Sequence, residues 1–148
     1  NLAYDVIFGP AYKGIPLAAA VATVLNEKVS KQIPICFDRK EEKDHGEGGS
    51  LVGSVKNKRV LIIDDVLTVG TALKNSINLI QEYGGTVSAV IVALDRQEQD
   101  EGKQVSKKLS DELDIPILSI SNLENLINFL ETIGQKDIAA KLKSSFNR

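Results

Sequence analysis

The sequence predicts an α/β fold, with a central, mostly parallel twisted sheet and helices on both faces. Three observations predict it. Five short apolar runs recur along the chain. Segments with helical spacing separate them. The runs lack the polar alternation of a half-exposed strand, so each is expected to be covered on both sides.

In order, Tyr4 to Phe8 reads as the first strand. Ile15 to Leu25 is apolar on nearly every face, with Pro16 near the first turn, the pattern of a buried helix. Ile33 to Phe37 is the second strand, and Val60-Leu61-Ile62-Ile63, rich in β-branched residues, is the third. Leu73, Ile77 and Ile80 then recur at helical spacing up to a stop at Gly84-Gly85. Val87 to Leu94 is a fourth strand, Val105, Leu109 and Leu113 mark a helical stripe, and Pro116 to Ile120 is a fifth strand. Ser121-Asn122-Leu123-Glu124 has capping-box spacing before a helix with Leu123, Leu126, Ile127 and Leu130 on one face. Ile138, Leu142 and Phe146 suggest a last helix. No internal repeat or long linker interrupts the pattern, so residues 1–148 are expected to form one domain.

Composition narrows the function. Eighteen basic and 20 acidic residues leave a formal charge of −2, which gives neither a general basic field for nucleic acid nor an acidic tail. No apolar run is long enough to span a membrane. The single cysteine, Cys36, lies in an apolar strand and reads as a core residue; one thiol fits a reducing compartment, and a cytoplasmic location is expected. There is no Met in the 148 residues and the first is Asn1, so the chain reads as a portion of something longer.

In parallel sheets ligands gather beyond the carboxyl ends of the strands, here just after Phe8, Phe37, Ile63 and Leu94. The third strand leads into Asp64-Asp65, then Val66-Leu67-Thr68-Val69-Gly70-Thr71-Ala72. Adjacent carboxylates at the end of an apolar strand are costly unless something uses them. A vicinal diol would donate to them, and the following turn offers hydroxyls and free N–H groups at a helix start, a phosphate site. Together they point to a ribose 5-phosphate moiety; the alternative is that an Asp merely caps the helix. After the first strand, Gly9-Pro10-Ala11-Tyr12-Lys13-Gly14 could wrap an anion or be an exposed turn; its spacing is not that of a Walker loop. Residues 39–50, Arg39 to Ser50, hold no apolar side chain. They read as a flexible lid whose Arg39, Lys40, Lys43 and His45 close on a polyanion, or as a solvated charged hairpin. Arg96, in Asp95-Arg96-Gln97-Glu98, could fork onto a carboxylate or form a surface ion pair. Tyr83 reads as part of its own helix's packing.

Taken together these segments resemble the type I phosphoribosyltransferases, and among them the orotate-specific branch. Val60 to Ala72, VLIIDDVLTVGTA, looks like their signature for phosphoribosyl pyrophosphate, and the segments at 8–14, 39–49 and 93–98 follow in the same order. The resemblance implies transfer of a phosphoribosyl group to orotate, yielding orotidine 5-phosphate and pyrophosphate, in pyrimidine synthesis. It implies that Asp64 and Asp65 bind the ribose hydroxyls and that the stretch Val66, Leu67, Thr68, Val69, Gly70, Thr71 and Ala72 holds the 5-phosphate. Tyr12 and Lys13 would line the pyrophosphate loop, while Arg39, Lys40, Lys43 and His45 grip pyrophosphate. Lys43, His45, Asp64 and Asp65 would act in catalysis, and Arg96, with Thr68 close by, would bind orotate. Mg²⁺ would arrive with phosphoribosyl pyrophosphate, with no protein metal ligand assigned. A homodimer is implied, its lid reaching the neighbouring site, with no nucleic-acid or membrane partner. Members also carry an amino-terminal hood over the base, for which this sequence holds no candidate, so weak turnover is expected of these residues alone.

Three rivals remain. A purine-base transferase would not need Arg96. A regulator on the same fold that binds nucleic acid should show a basic surface. A phosphoryl-accepting receiver domain would need its acidic pair near the start, whereas 63 residues precede Asp64.

Overall fold

In a computed structural model, which describes residues 2–28, 32–39 and 50–146, the expected strands form one sheet. The elements are β1 (Val6–Gly9), α1 (Gly14–Lys28), β2 (Ile35–Asp38), β3 (Leu51–Val52), β4 (Arg59–Leu67), α2 (Thr71–Glu82), β5 (Thr86–Asp95), β6 (Gln99–Asp100), β7 (Lys103–Gln104), α3 (Val105–Leu113), β8 (Ile117–Asn122), α4 (Leu123–Thr132) and α5 (Lys136–Phe146). The sheet order is β3-β2-β1-β4-β5-β8, parallel throughout except for β3, which runs antiparallel to β2.

The pleat sorts the core into two layers. Val6, Phe8, Val60, Ile62, Val90 and Val92 face one side, where Leu73, Ile77 and Ile80 of α2 and Val105 and Leu109 of α3 cover them. Ile7, Leu61, Ile63 and Ala89 face the other, against Ala18 and Ala22 of α1. Helices on both faces are therefore what keeps near-continuous apolar strands dry. The apolar stripe of α4 packs with Ala139 and Leu142 of α5 in a third cluster.

Several sequence readings need correction. α1 is not buried all round: Gly14, Ala18 and Ala22, four apart, form its inner face, and Val24 is half exposed. Small residues there let the helix axis sit close to the sheet. β4 does not end at Ile63 but continues to Leu67, because β5 extends beside it to Asp95. The carboxylates of Asp64 and Asp65 thus belong to the strand. The cap of α4 is Asn122, whose Oδ1 accepts the N–H of Asn125 at 2.8 Å, so the capping residue lies one position later than the Ser121 register suggested. In α5 the inner residues are Ala139 and Leu142, while Ile138 is 48% exposed. Tyr83 does more than pack: its hydroxyl accepts the N–H of Ser50 at 3.1 Å, linking the end of α2 to β3. The hairpin β6–β7 was not expected. Its strands are polar on both faces, and Glu101 and Gly102, both at positive φ, make the two-residue turn. Cys36 is fully buried, as expected, and burial pushes its thiol up to about 11.

Two glycines fix the first loop. A Cβ on Gly9 would fall 2.4 Å from the Gly14 carbonyl oxygen and 2.8 Å from the Ala18 Cβ. One on Gly14 would fall 2.6 Å from Pro10 Cδ and 2.9 Å from the Ile63 carbonyl oxygen. The turn that ends β1 closes on itself only because both positions lack a side chain. Gly9→Ala is expected to destabilise the protein by about 1–3 kcal/mol, the usual scale of overpacking. A thermal melt unchanged by the substitution would show that the loop can relax around a methyl group.

Candidate functional site

The site assembles where β4 outlasts β1. Phe8 pairs with Ile62, one residue before β1 ends, yet β4 remains bonded to β5 from Asp64 opposite Val92 to Leu67 opposite Asp95. The acidic pair therefore projects past the neighbouring strand. Successive strand residues face opposite sides. Asp64 follows Ile62 onto the α2 side, and Asp65 follows Ile63 onto the α1 side.

On the α2 side, Asp64, Val66 to Leu73 and Val92 line a cavity of about 250 Å³. The turn from Thr68 leads to Gly70, whose φ of 83° is left-handed and whose Cβ, if present, would lie 2.4 Å from Leu109 Cδ1. Glycine is needed there on both counts. α2 starts at Thr71 with no side-chain cap and no acidic residue in its first turn. Its amino end thus keeps N–H donors and a positive dipole end directed at the cavity.

On the α1 side, the Lys13 ammonium donates to Asp65 Oδ2 in an ion pair. Burial pushes the Asp65 carboxyl up, but the hydrogen bond and charge of Lys13, the Asp64 contact and the Val66 N–H outweigh it and hold Asp65 below the usual carboxylate range. The same hydrogen bond and charge from Asp65 raise Lys13 above the ordinary lysine value. Asp64 goes the other way: burial is the main cause, the negative charge of Asp65 adds to it, and its pKa is raised although its Oδ1 accepts the Asp65 N–H at 2.8 Å. Two adjacent carboxyls so split, one held ionised and one pushed toward the neutral form, are a mark of functional sites. The loop carrying Lys13 is braced from a third strand, since the Ala11 N–H donates to Asp38 Oδ1 at 2.6 Å and the Gly14 N–H to the Pro10 carbonyl at 2.9 Å. Tyr12, in the same loop, is 63% exposed.

Arg96 joins this rim by its backbone, its N–H donating to the Leu67 carbonyl at 3.1 Å. Its guanidinium Nη2 lies 3.1 Å from Glu98 Oε1, so the ion-pair reading of Arg96 holds in this state. Arg39 follows β2, its N–H donating to the Ser50 carbonyl at 2.7 Å just before the antiparallel β3. Lys40, Lys43 and His45 lie outside the described residues. The structure thus gathers Asp64, Asp65, the 66–72 turn and Lys13 and brings Arg96 to the turn's base.

Sequence reasoning missed Asp38, Gln97 and Glu98. Asp38 directly follows Phe37, so its strand-end position was a usable signal. Gln97 and Glu98 had none beyond their neighbour Arg96. Among the described residues no group of three or more His, Cys, Asp or Glu is placed to hold a metal ion, and no helix is long and apolar enough to cross a membrane.

Known proteins share much of this sequence and this fold. A phosphoribosyl transferase domain family model matches residues 1–122. The chain is 45% identical to an orotate phosphoribosyltransferase of Cellvibrio japonicus over 95% of its own length and 66% of that protein. It is 47% identical to the enzyme of that name from Acinetobacter baylyi, over 94% of this chain and 65% of the relative. The crystal structure of a Francisella tularensis orotate phosphoribosyltransferase superposes with a TM-score of 0.77 at 37% identity, covering 97% of this chain and 66% of that one. The chain therefore spans about two thirds of the length of the relatives it matches. With a family model covering most of its residues, and with the acidic pair, phosphate-type turn and basic loop at one rim, the chain belongs to the phosphoribosyl transferase domain family.

Proposed function

We propose that the protein transfers the 5-phosphoribosyl group of phosphoribosyl pyrophosphate to orotate, giving orotidine 5-phosphate and pyrophosphate in pyrimidine biosynthesis. The observation that carries this reading is the 45–47% identity to proteins named orotate phosphoribosyltransferase, over a chain whose acidic pair and helix-start cavity meet at one rim.

Asp64 and Asp65 accept hydrogen bonds from the ribose hydroxyls. Thr68 to Thr71, with Val66, Leu67 and Ala72 around them, receive the 5-phosphate at the uncapped start of α2. Tyr12 and Lys13 present the pyrophosphate loop, and Lys13 exchanges Asp65 for substrate oxygens. Arg39, Lys40, Lys43 and His45 are assigned to pyrophosphate on sequence grounds. Arg96 turns from Glu98 to the orotate carboxylate, near Thr68.

In the reaction an orotate ring nitrogen gives up its proton, to water or to the departing pyrophosphate, and bonds to the anomeric carbon as the bond to pyrophosphate breaks, its electron pair leaving with the pyrophosphate oxygen. Positive charge builds on the ribose, beside the carboxylates, and negative charge builds on the leaving group, beside Lys13 and the lysines of 40–43. Mg²⁺ belongs to this reading. The carboxylates of Asp64 and Asp65 are hard oxygen donors, and Mg²⁺ takes one or two such groups and completes its shell with water and substrate phosphate. When bound it would supply neutralising charge to the departing pyrophosphate. A homodimer with shared sites and a cytoplasmic location complete the reading, both resting on the family resemblance.

The test is spectrophotometric loss of orotate by the full-length gene product, supplied with phosphoribosyl pyrophosphate and Mg²⁺. Orotate is expected to be consumed, and Lys43→Ala to lower kcat by about a hundredfold or more. Consumption of adenine or hypoxanthine but not orotate would instead make this a purine-base transferase. Arg96→Ala is expected to raise KM for orotate more than KM for phosphoribosyl pyrophosphate.

Asp64 carries a second prediction. A carboxyl raised in the folded state contributes stability below its unfolded pKa and loses it as pH rises through the folded value. At neutral pH the charged Asp64 therefore works against folding. Asp64→Asn keeps an oxygen for the Asp65 N–H and is expected to stabilise the protein by about 0.5–1 kcal/mol at pH 7 while lowering turnover. The gain should shrink on acidification, and thermal melts across pH read it directly. A loss of stability at pH 7 would contradict the burial argument.

A further inference from the structure

We propose that Gln97 is a positioning residue that sets the bearing of Arg96 by tying the turn after β5 to the start of α4. The role rests on the assignment of Arg96 to the carboxylate of the base substrate.

Four observations converge on Gln97. Its φ of 54° lies in the left-handed region, which glycine and asparagine adopt readily and glutamine rarely does. It is 9% exposed, unusual for so polar a side chain. Its N–H donates to Asp95 Oδ1 at 2.7 Å, inside the turn. Its side-chain Oε1 accepts the Glu124 N–H at 2.8 Å, 27 residues away, in the first turn of α4.

The helix does not depend on this bond for its cap, because Asn122 already takes the Asn125 N–H. The benefit therefore falls on the turn. A strained backbone persists only where its surroundings over-determine it, and such residues gather at functional sites. Here the surroundings are explicit. On one side of Gln97, the Arg96 N–H is held by the Leu67 carbonyl at 3.1 Å. On the other, the Glu98 carbonyl accepts the Val105 N–H at 2.9 Å at the start of α3. Asp95 and Gln97 are fixed by side-chain bonds and Glu98 by its carbonyl, while the Arg96 guanidinium is held only by the exposed Glu98 pair, a partner it can exchange. Its arc is centred on a Cα held beside the Thr68 turn. The tether thus converts a loop arginine into one with a fixed pivot, and a forked contact to a carboxylate needs that directional accuracy.

The experiment uses the full-length gene product and steady-state kinetics with both substrates varied. Gln97→Leu, which keeps bulk but loses the acceptor, is expected to raise KM for orotate roughly tenfold, the scale of a modest misplacement. KM for phosphoribosyl pyrophosphate should stay at its wild-type value. Gln97→Glu, which keeps an acceptor oxygen, should restore KM for orotate. Placed on an Arg96→Ala background, Gln97→Leu should add no further increase, because the group it positions is gone. Should the leucine variant fail to fold, Gln97→Gly removes tether and backbone strain together and must show the same selective rise. An unchanged KM for orotate, an equal rise in both KM values, or full additivity with Arg96→Ala would each overturn the positioning role while leaving the functional reading standing. A wild-type protein that consumes no orotate would overturn the functional reading, and this role with it.

Discussion

The hydrogen bonds between β4 and β5 run on after β1 has stopped, from Asp64 opposite Val92 to Leu67 opposite Asp95, and the rim is organised around that extension. It carries two carboxylates out of the core without unravelling the strand that bears them. It also sets the height at which α2 starts, and it provides the Leu67 carbonyl that anchors Arg96. Had β4 ended level with β1, Asp64 and Asp65 would sit in an unsupported loop. Their opposite faces, and so their opposite environments, are a product of strand geometry.

Close backbone approach does for the first loop what strand extension does for the acidic pair. Gly9 and Gly14 touch where any Cβ would collide, which brings the start of α1 down onto the end of β1. Lys13 is thereby delivered to Asp65 from an element far away in sequence. Asp38, from a third strand, braces the same loop through the Ala11 N–H. Three strands and one helix thus meet in a few bonds, which join Lys13 to a residue 52 positions away and Ala11 to one 27 positions away.

The fold was legible because apolar continuity marks strands, and all five expected ones are present, although β8, expected to be covered on both sides, is largely exposed. The acidic pair and the turn to Thr71 were legible because carboxylates after an apolar run need a reason. What escaped were features too short or too polar to give a pattern. β3, although apolar, is only two residues long, and the β6–β7 hairpin has two polar residues per strand that pair through backbone bonds the sequence does not advertise. Gln97 was invisible for a related reason: its importance lies in a backbone angle and a bond spanning 27 residues. Periodicity overstated the burial of α1, whose outer apolar residues are open to solvent, and of Ile138 in α5. Leu118 and Ile120 of β8 are likewise exposed, because the apolar run that marked this strand lies at the sheet edge beside β5.

The contact between Arg96 and Glu98 has a thermodynamic corollary. A carboxylate arriving at Arg96 displaces one that is already there, so the encounter is an exchange of counterions and the number of ion pairs at the guanidinium does not rise. Much of the Coulomb attraction cancels between the two states. Discrimination then rests on which carboxylate fits the fork better, and screening by salt weakens the incumbent and the newcomer alike. An exposed pair of this kind is weak, so the incumbent costs a newcomer little while keeping the guanidinium partnered until it is displaced.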